Sequence, residues 1–454
     1  MKPFVFSLLL VAFSLATSLA ADAVATHAPA TAPKQTLTLD EAKTLALHGH
    51  PSLEAMRQRV MAAAAAVRIA RSAFWPTLDA NAAATRVQDH SYVGMPSAFA
   101  KMIDVTPYST YSADLTAGWL IFDGFRREFD VLAAQHGETA TRDSLTDAQR
   151  LMIQAVSMTY CQALLAHERM RIARDDATFS ASLLFDASNR FAAGVAPRSE
   201  VLSFENRREI AESQRVEANK SSRTARVALA ELLAYSGGDI ADSVAFALPD
   251  NPPAHAPDAD AALAYAIQHR PDLQSAEAQA QAADAQLHSA DAAWWPRISA
   301  VGQSGLAHDQ NLKVNGDRDQ NLMIGVQATW NIFGGGRDSA ARDAAKAGAR
   351  AAVEMKSALA LKVAAEVRQN LAALDASRAQ LDIQARVLDR SRQIRDLVRQ
   401  EYLGGTAGVT RMNEAQNEAV TADTRLVMTR IDNLLNRENL DAVTGKSLEG
   451  TTRE

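Results

Sequence analysis

Hydrophobic and polar positions along this chain follow two periods, and the periods alternate in blocks. Short segments change character every second residue. Leu78, Ala80, Ala82 and Ala84 fall on one side of such a run, and Thr77, Asp79, Asn81 and Thr85 on the other. Leu115, Ala117, Trp119 and Ile121 likewise oppose Asp114, Thr116 and Gly118. In the second half, Ile324, Val326, Ala328, Trp330 and Ile332 oppose Gly325, Gln327, Thr329 and Asn331. A period of two with one apolar face predicts β-strands that are wet on one side. The predicted strands span about 76–89, 112–123, 296–308 and 321–334, with polar loops at about 90–111 and 310–320.

The remaining blocks have helical spacing. Residues 39–72 predict a helix that bends near Pro51 and ends at Pro76. Glu138 to Ala193 holds neither Gly nor Pro over 56 residues, enough for a helix of roughly 80 Å. Uninterrupted stretches also cover Arg198–Ser236, Ala349–Leu403 and Val409–Thr444, rich in Ala, Leu, Glu, Arg and Gln. Leu151, Val156, Leu164 and Leu165 keep helical spacing with charges between them, the pattern of long paired helices that bury a narrow seam.

These blocks occur twice. His50-Pro51-Ser52-Leu53 returns as Arg270-Pro271-Asp272-Leu273, and Phe74-Trp75-Pro76 as Trp294-Trp295-Pro296, both 220 residues on. Trp119-Leu120-Ile121-Phe122 returns as Trp330-Asn331-Ile332-Phe333 only 211 residues on, so the second copy has lost nine residues between its paired strands. The duplication predicts one architecture of two tandem repeats, 37–238 and 259–446, joined by a Pro-rich linker at 239–258 and followed by a tail at 447–454.

Composition narrows the setting. Lys2 followed by apolar Phe4–Phe13 and Ser18-Leu19-Ala20 predicts a secretory signal over 1–20, cleaved before Ala21, with a flexible leader over 21–36. No cysteine directly follows that site, so a lipid-anchored N-terminus is not expected. A net charge of −6 argues against nucleic acid as a partner. The lone Cys161 forms no intrachain disulfide and is expected to be buried on a helix. No later segment has about 18 uninterrupted apolar residues, so a membrane crossing requires strands. Four strands cannot close a barrel, since the smallest of that class have about eight, so the strand reading requires copies that share one barrel.

All five tryptophans (Trp75, Trp119, Trp294, Trp295 and Trp330) sit at helix–strand joints, with Phe122 and Phe333 beside them. Such aromatics suit a membrane–water interface. Two glycine turns interrupt the long helices, at Ala193-Gly194-Val195 and Gly404-Gly405-Thr406. His48 and His50 lack a second ligand cluster, and no constellation of a catalytic, cofactor or metal site is present, so no enzyme is expected. Glu200 and Glu414 follow the turns and are read as solvated helix surface or, in a tube, as rings facing cations.

In their order and duplication, these motifs resemble the TolC family of outer-membrane efflux proteins over about 38–446. The resemblance implies an α+β fold: a long α-helical barrel continuous with a twelve-stranded transmembrane β-barrel, four strands from each chain of a homotrimer. It implies a location in the outer membrane of a Gram-negative cell, extending into the periplasm. It implies a passive duct fed by an inner-membrane pump, either an antiporter or an ATP-binding transporter, through a periplasmic adaptor (membrane fusion) protein. The adaptor would dock at Ala193, Gly194, Val195, Gly404, Gly405 and Thr406. Family members often carry Asp just after the second turn; here Arg411 stands there, with Glu414 three residues on. On sequence, multidrug or solute efflux is the favoured reading, with the outer-membrane component of a type I protein secretion system and a non-conducting trimeric structural stalk as the alternatives.

Overall fold

The computed structural model describes residues 36–87, 108–247, 257–309 and 320–449. The signal peptide, most of the leader, nearly all of both polar loops, part of the linker and the last tail residues lie outside them.

The chain begins with β1 (Thr36–Leu37), α1 (Leu39–Gly49) and α2 (Pro51–Ser72). Thr38 opens α1 with a reciprocal capping box to Glu41. His50 stands between the two helices and caps α2, its Nδ1 accepting the Ser52 amide at 3.2 Å. That is the role of this histidine in the fold. The bend expected near Pro51 falls between the two helices, where proline occupies the first helical position.

Next come β2 (Thr77–Val87), β3 (Tyr108–Phe122), α3 (Arg126–Ala192) and α4 (Arg198–Leu232). The second half repeats the order with α5 (Ala259–His269), α6 (Pro271–Asp291), β5 (Arg297–Asp309), β6 (Gln320–Thr329), α7 (Arg337–Leu403) and α8 (Val409–Thr444). Between the halves lies a two-residue strand, β4 (Ala245–Phe246), which pairs in parallel with β1.

Helices α3 and α7 have 67 residues each, which makes each about 100 Å long. Both start twelve residues before the positions expected from sequence, because each runs through an interior glycine, Gly137 or Gly348. An interior glycine costs about 1 kcal/mol relative to alanine, a penalty that packing along so long a helix overrides.

Strands β2, β3, β5 and β6 form one antiparallel sheet in the order β2-β3-β5-β6. Strand β6 ends at Thr329, short of the expected 334. β3 reaches Phe122 because Phe122 pairs with Ile298, whereas the equivalent end of β6 borders an open edge.

The core follows the helices as a series of patches. The largest lies midway along α3, where Val156, Tyr160, Cys161 and Leu164 meet Leu37, Leu39, Ala42, Leu229, Ile240 and Phe246. Part of the segment read as linker therefore belongs to the core: Ile240, Val244 and Phe246 are buried there. The Tyr160 hydroxyl lies 2.9 Å from the Leu37 carbonyl and 2.8 Å from that of Ala247, tying down both short strands. Cys161 is buried in this patch, and burial pushes its thiol up to about 12. A second patch near the glycine turns gathers Leu183, Ala187, Phe204, Val398, Tyr402, Met412 and Ala415 from α3, α4, α7 and α8.

Candidate functional site

The functional features lie at the two ends of the long helices. At one end, the register of the sheet sorts its side chains into two faces. Asn81 pairs with Asp114, which pairs with Gly305, which in turn aligns with Asn321. Thr77, Asp79, Thr116, Gln303, Gln327 and Thr329 share that polar face. The other face carries Leu78, Leu115, Leu322, Ile324 and Val326, all exposed. The polar face is knit internally, with Asn81 Nδ2 and Thr116 Oγ1 each donating to Asp114 Oδ2 at 3.2 Å. Both edge strands, β2 and β6, have one side unpaired among the described residues.

The helix–strand joints hold the aromatics. Trp75, Trp119, Trp294, Trp295, Trp330 and Phe333 are exposed, and Phe122 is half-buried. Two indoles are fixed by the same bond in the two repeats: Trp119 Nε1 donates to the Phe74 carbonyl at 3.0 Å, and Trp330 Nε1 to the Trp294 carbonyl at 3.2 Å. Those two N–H groups therefore serve the joint.

Sequence reasoning missed one element of the first joint, the Arg127 clamp. Its guanidinium donates to the carbonyls of Ala73, Leu120 and Ile121 at 3.2, 2.7 and 3.1 Å, and to Asp123 at 3.1 Å. It also lies over the Phe74 ring at 4.7 Å. The second repeat has Gly334 and Asp338 in place of Asp123 and Arg127, so the clamp occurs in one repeat only. That break in the repeat was the available signal. Beside the clamp, Gly124 has φ +74°, and a Cβ there would stand 2.6 Å from Trp295 Cβ and 2.9 Å from the Ala292 carbonyl. Gly124→Ala combines left-handed strain with overpacking and is expected to cost about 2–4 kcal/mol. Thermal unfolding of the purified variant in detergent checks this; an unchanged midpoint would contradict it.

At the opposite end lie the two glycine turns, brought close together. Each is a Schellman cap. Gly194 (φ +75°) donates to the Phe191 carbonyl at 2.9 Å, and Val195 to that of Arg190 at 3.0 Å. Gly405 (φ +81°) donates to the Tyr402 carbonyl at 3.0 Å, and Thr406 to that of Glu401 at 2.9 Å. Ala193, Gly194, Val195, Gly404, Gly405 and Thr406 are all exposed.

Behind the turns, polar contacts tie the α3–α4 hairpin to the α7–α8 hairpin. Arg190 donates to the carbonyls of Tyr402 and Leu403 at 2.7 and 3.1 Å, and stacks on the Tyr402 ring at 4.9 Å. The buried Tyr402 hydroxyl donates to Glu200, and burial together with that carboxylate pushes the phenol up. Arg399 donates to Asp186 at 3.2 Å. Deeper in, buried Asp176 accepts from Arg207 at 2.9 and 3.0 Å and from Gln416 at 2.7 Å. Glu200 is thus drawn into the hairpin contact, its side chain 12% exposed, instead of standing free as an entrance charge. Arg411 and Glu414 are exposed on the first turns of α8.

Among the described residues, no helix is long and apolar enough to cross a membrane, and no group of three or more His, Cys, Asp or Glu side chains is placed to hold a metal.

A sheet with one polar and one apolar face, carried on helix hairpins about 100 Å long, defines a TolC-like channel subunit. A family model described as outer membrane efflux protein matches residues 44–235 and 262–446, and the chain belongs to that family. It is similar to the pyoverdine export outer membrane protein OpmQ of Pseudomonas aeruginosa, with 26% identity over 402 residues, 87% of this chain and 82% of that one. Among solved structures it resembles the CmeC outer membrane channel of Campylobacter jejuni, with a TM-score of 0.76 and 17% identity over 90% of this chain and 86% of that one. It also resembles VceC of Vibrio cholerae, with a TM-score of 0.75 and 17% identity over 90% and 96% of the two chains. The protein is an efflux channel of the Gram-negative outer membrane that extends into the periplasm, the outermost duct of a tripartite export system.

Proposed function

We propose that three copies close one twelve-stranded barrel and carry small solutes outward from an inner-membrane pump and its adaptor. The observation that carries this reading is the four-stranded sheet with two open edges and opposed polar and apolar faces. Open edges are not tolerated in lipid, and four strands are too few to close. The apolar face then meets lipid, and the polar face, with Asp79, Asp114, Gln303 and Gln327, lines water. Trp75, Trp119, Trp294, Trp295, Trp330, Phe122 and Phe333 mark the periplasmic rim of the membrane. OpmQ exports pyoverdine by its name, which favours a small solute over a secreted protein as cargo here.

In this reading the exposed glycine turns receive the adaptor, and the contacts between hairpins hold the entrance closed. Adaptor binding shifts the population towards open by favouring parted hairpins. Arg411 and Glu414 are the charges left to face the entrance.

Conductance of purified protein in planar bilayers tests the reading. Stepwise ion-conducting events of a defined size are expected. A bilayer that stays silent with correctly assembled protein would favour a stalk without a conduit.

A further inference from the structure

Residues 240–247, at the start of the segment that joins the two repeats, lie as a clip against the middle of α3. Ile240, Val244 and Phe246 are buried there, and β4 pairs with β1, Leu37 opposite Phe246. The Ala247 amide donates to the Leu37 carbonyl at 3.1 Å. Tyr160, Arg226 and His167 all meet the Phe246 ring. Tyr160 of α3 stands edge-on to it at 5.6 Å. The guanidinium of Arg226, from α4, lies over it at 4.8 Å. His167, two turns along α3 from Tyr160, meets it at 6.1 Å with the rings inclined at 71°.

Arg226 is buried and holds the clip, donating to the Ala241 carbonyl at 2.8 Å and to that of Val244 at 3.0 and 3.1 Å. Its charge is thus fixed beside the ring, with the exposed carboxylate of Asp242 at 3.9 Å. His167 shares this setting. Its Nδ1 is buried and has no hydrogen-bond partner among the described residues. A neutral imidazole tolerates that position, because one of its ring nitrogens carries no proton; an imidazolium has an N–H at both, and a charge. The charges around it are Arg226 from α4 and Glu168, Arg171 and Arg174 on α3, with Asp239 and Asp242 of the clip acting on Arg226. Arg171 is itself engaged by Glu168 at 2.8 Å, Asp175 at 3.0 Å and Asp423 of α8 at 3.8 Å. Burial first, and Arg226 next, hold the His167 ring below the ordinary histidine range, against the pull of Glu168. The counterpart of His167 in the second repeat, 211 residues on, is Arg378, so a group that titrates near neutral pH stands here in one repeat only.

We propose that residues 240–247 form an acid-released latch between the two repeats, with His167 as its sensor. Proton uptake by His167 places a second positive charge near buried Arg226 and puts a proton on Nδ1 where no acceptor stands. Movement of Phe246 away from α3 relieves both. The direction follows from linkage. With the latch closed, His167 titrates below its ordinary value of 6.5; with the latch released, it titrates at that value. Closure is therefore at full strength above about pH 6.5 and weakens as pH falls below it, by up to about tenfold per pH unit, until the closed form itself takes up the proton. Release uncovers Leu37, Ile240, Val244 and Phe246 and frees the joint between the repeats from the middle of α3.

Hydrogen exchange of the full-length protein in detergent tests it, read by mass spectrometry from about pH 7.5 to about pH 5.5 and normalised for the intrinsic pH dependence of exchange. That range stays above the titration of ordinary carboxylates. Protection of the amides in 240–247 is expected to fall by up to about tenfold over the unit below pH 6.5. The amides of α7 around Arg378 should keep theirs, which separates release of the latch from general loosening in acid. His167→Gln and His167→Phe remove the titrating ring, the second while keeping an aromatic against Phe246. Both should hold 240–247 protected to the same degree at the two ends of the range.

Protection of 240–247 that does not change with pH in the unmodified chain would overturn the latch. An acid loss that persists in both His167→Gln and His167→Phe would overturn His167 as its sensor. An equal loss around Arg378 would mark the effect as global and overturn the proposal as a whole.

Discussion

A chain carrying Gly194→Val and Gly405→Val together is expected to reach the outer membrane as an assembled protein and to lose export. Both glycines sit at positive φ, where a β-branched residue is strained by about 1–2 kcal/mol or more. A Cβ would meet no atom within 4 Å at either position, so no clash spreads into the packed helices. The nearest core patch, around Leu183, Phe204, Tyr402 and Met412, is untouched. The strain instead falls on the Schellman bonds from Val195 and Thr406, which give the tips their shape. Export measured as accumulation of a pump substrate should fall to the level of a strain lacking the channel. The corresponding double Asn variant tests shape against bulk, because Asn tolerates the left-handed region. Retained export with Asn and loss with Val assigns docking to the backbone shape of the tips. Normal export with Val would remove the docking assignment.

Much of this molecule was legible in its pattern, for a physical reason. Strands wet on one side must alternate, and long paired helices must keep their seam, so the strand expected at about 76–89 is found at Thr77–Val87 and the helix expected at Val409–Thr444 is found there. The starts of α3 and α7 were not legible, because Gly137 and Gly348 read as breakers locally while packing carries the helix through them. The ties behind the tips were also hidden. Tyr402 lies 202 residues from Glu200 and 212 from Arg190, and nothing about a glutamate after a turn announces that it meets a buried phenol from another hairpin. The Arg127 clamp was visible only as a flaw in the repeat. A duplicated sequence shows its shared scaffold clearly, whereas its asymmetric contacts must be read from coordinates.

Arg190→Ala is expected to make the channel leak. Arg190 belongs to α3, yet its hydrogen bonds run to the end of α7, to the carbonyls of Tyr402 and Leu403, with Glu200 of α4 at 3.6 Å. Hydrogen bonds from a charged donor contribute about 1.5–3 kcal/mol. If closure depends on the hairpins staying together, losing Arg190 moves the closed-to-open ratio by roughly 10–150-fold in each copy. The patch beneath retains Leu183, Phe204 and Met412, so folding should survive. Larger and longer openings in planar bilayers are expected, with sensitivity of whole cells to a bulky antibiotic normally excluded by the outer membrane. Arg190→Lys keeps the charge but not the fork that spans two carbonyls, and should leak less than alanine. Conductance unchanged in Arg190→Ala would place closure elsewhere, with Asp176, Arg207 and Gln416 the next contact to break.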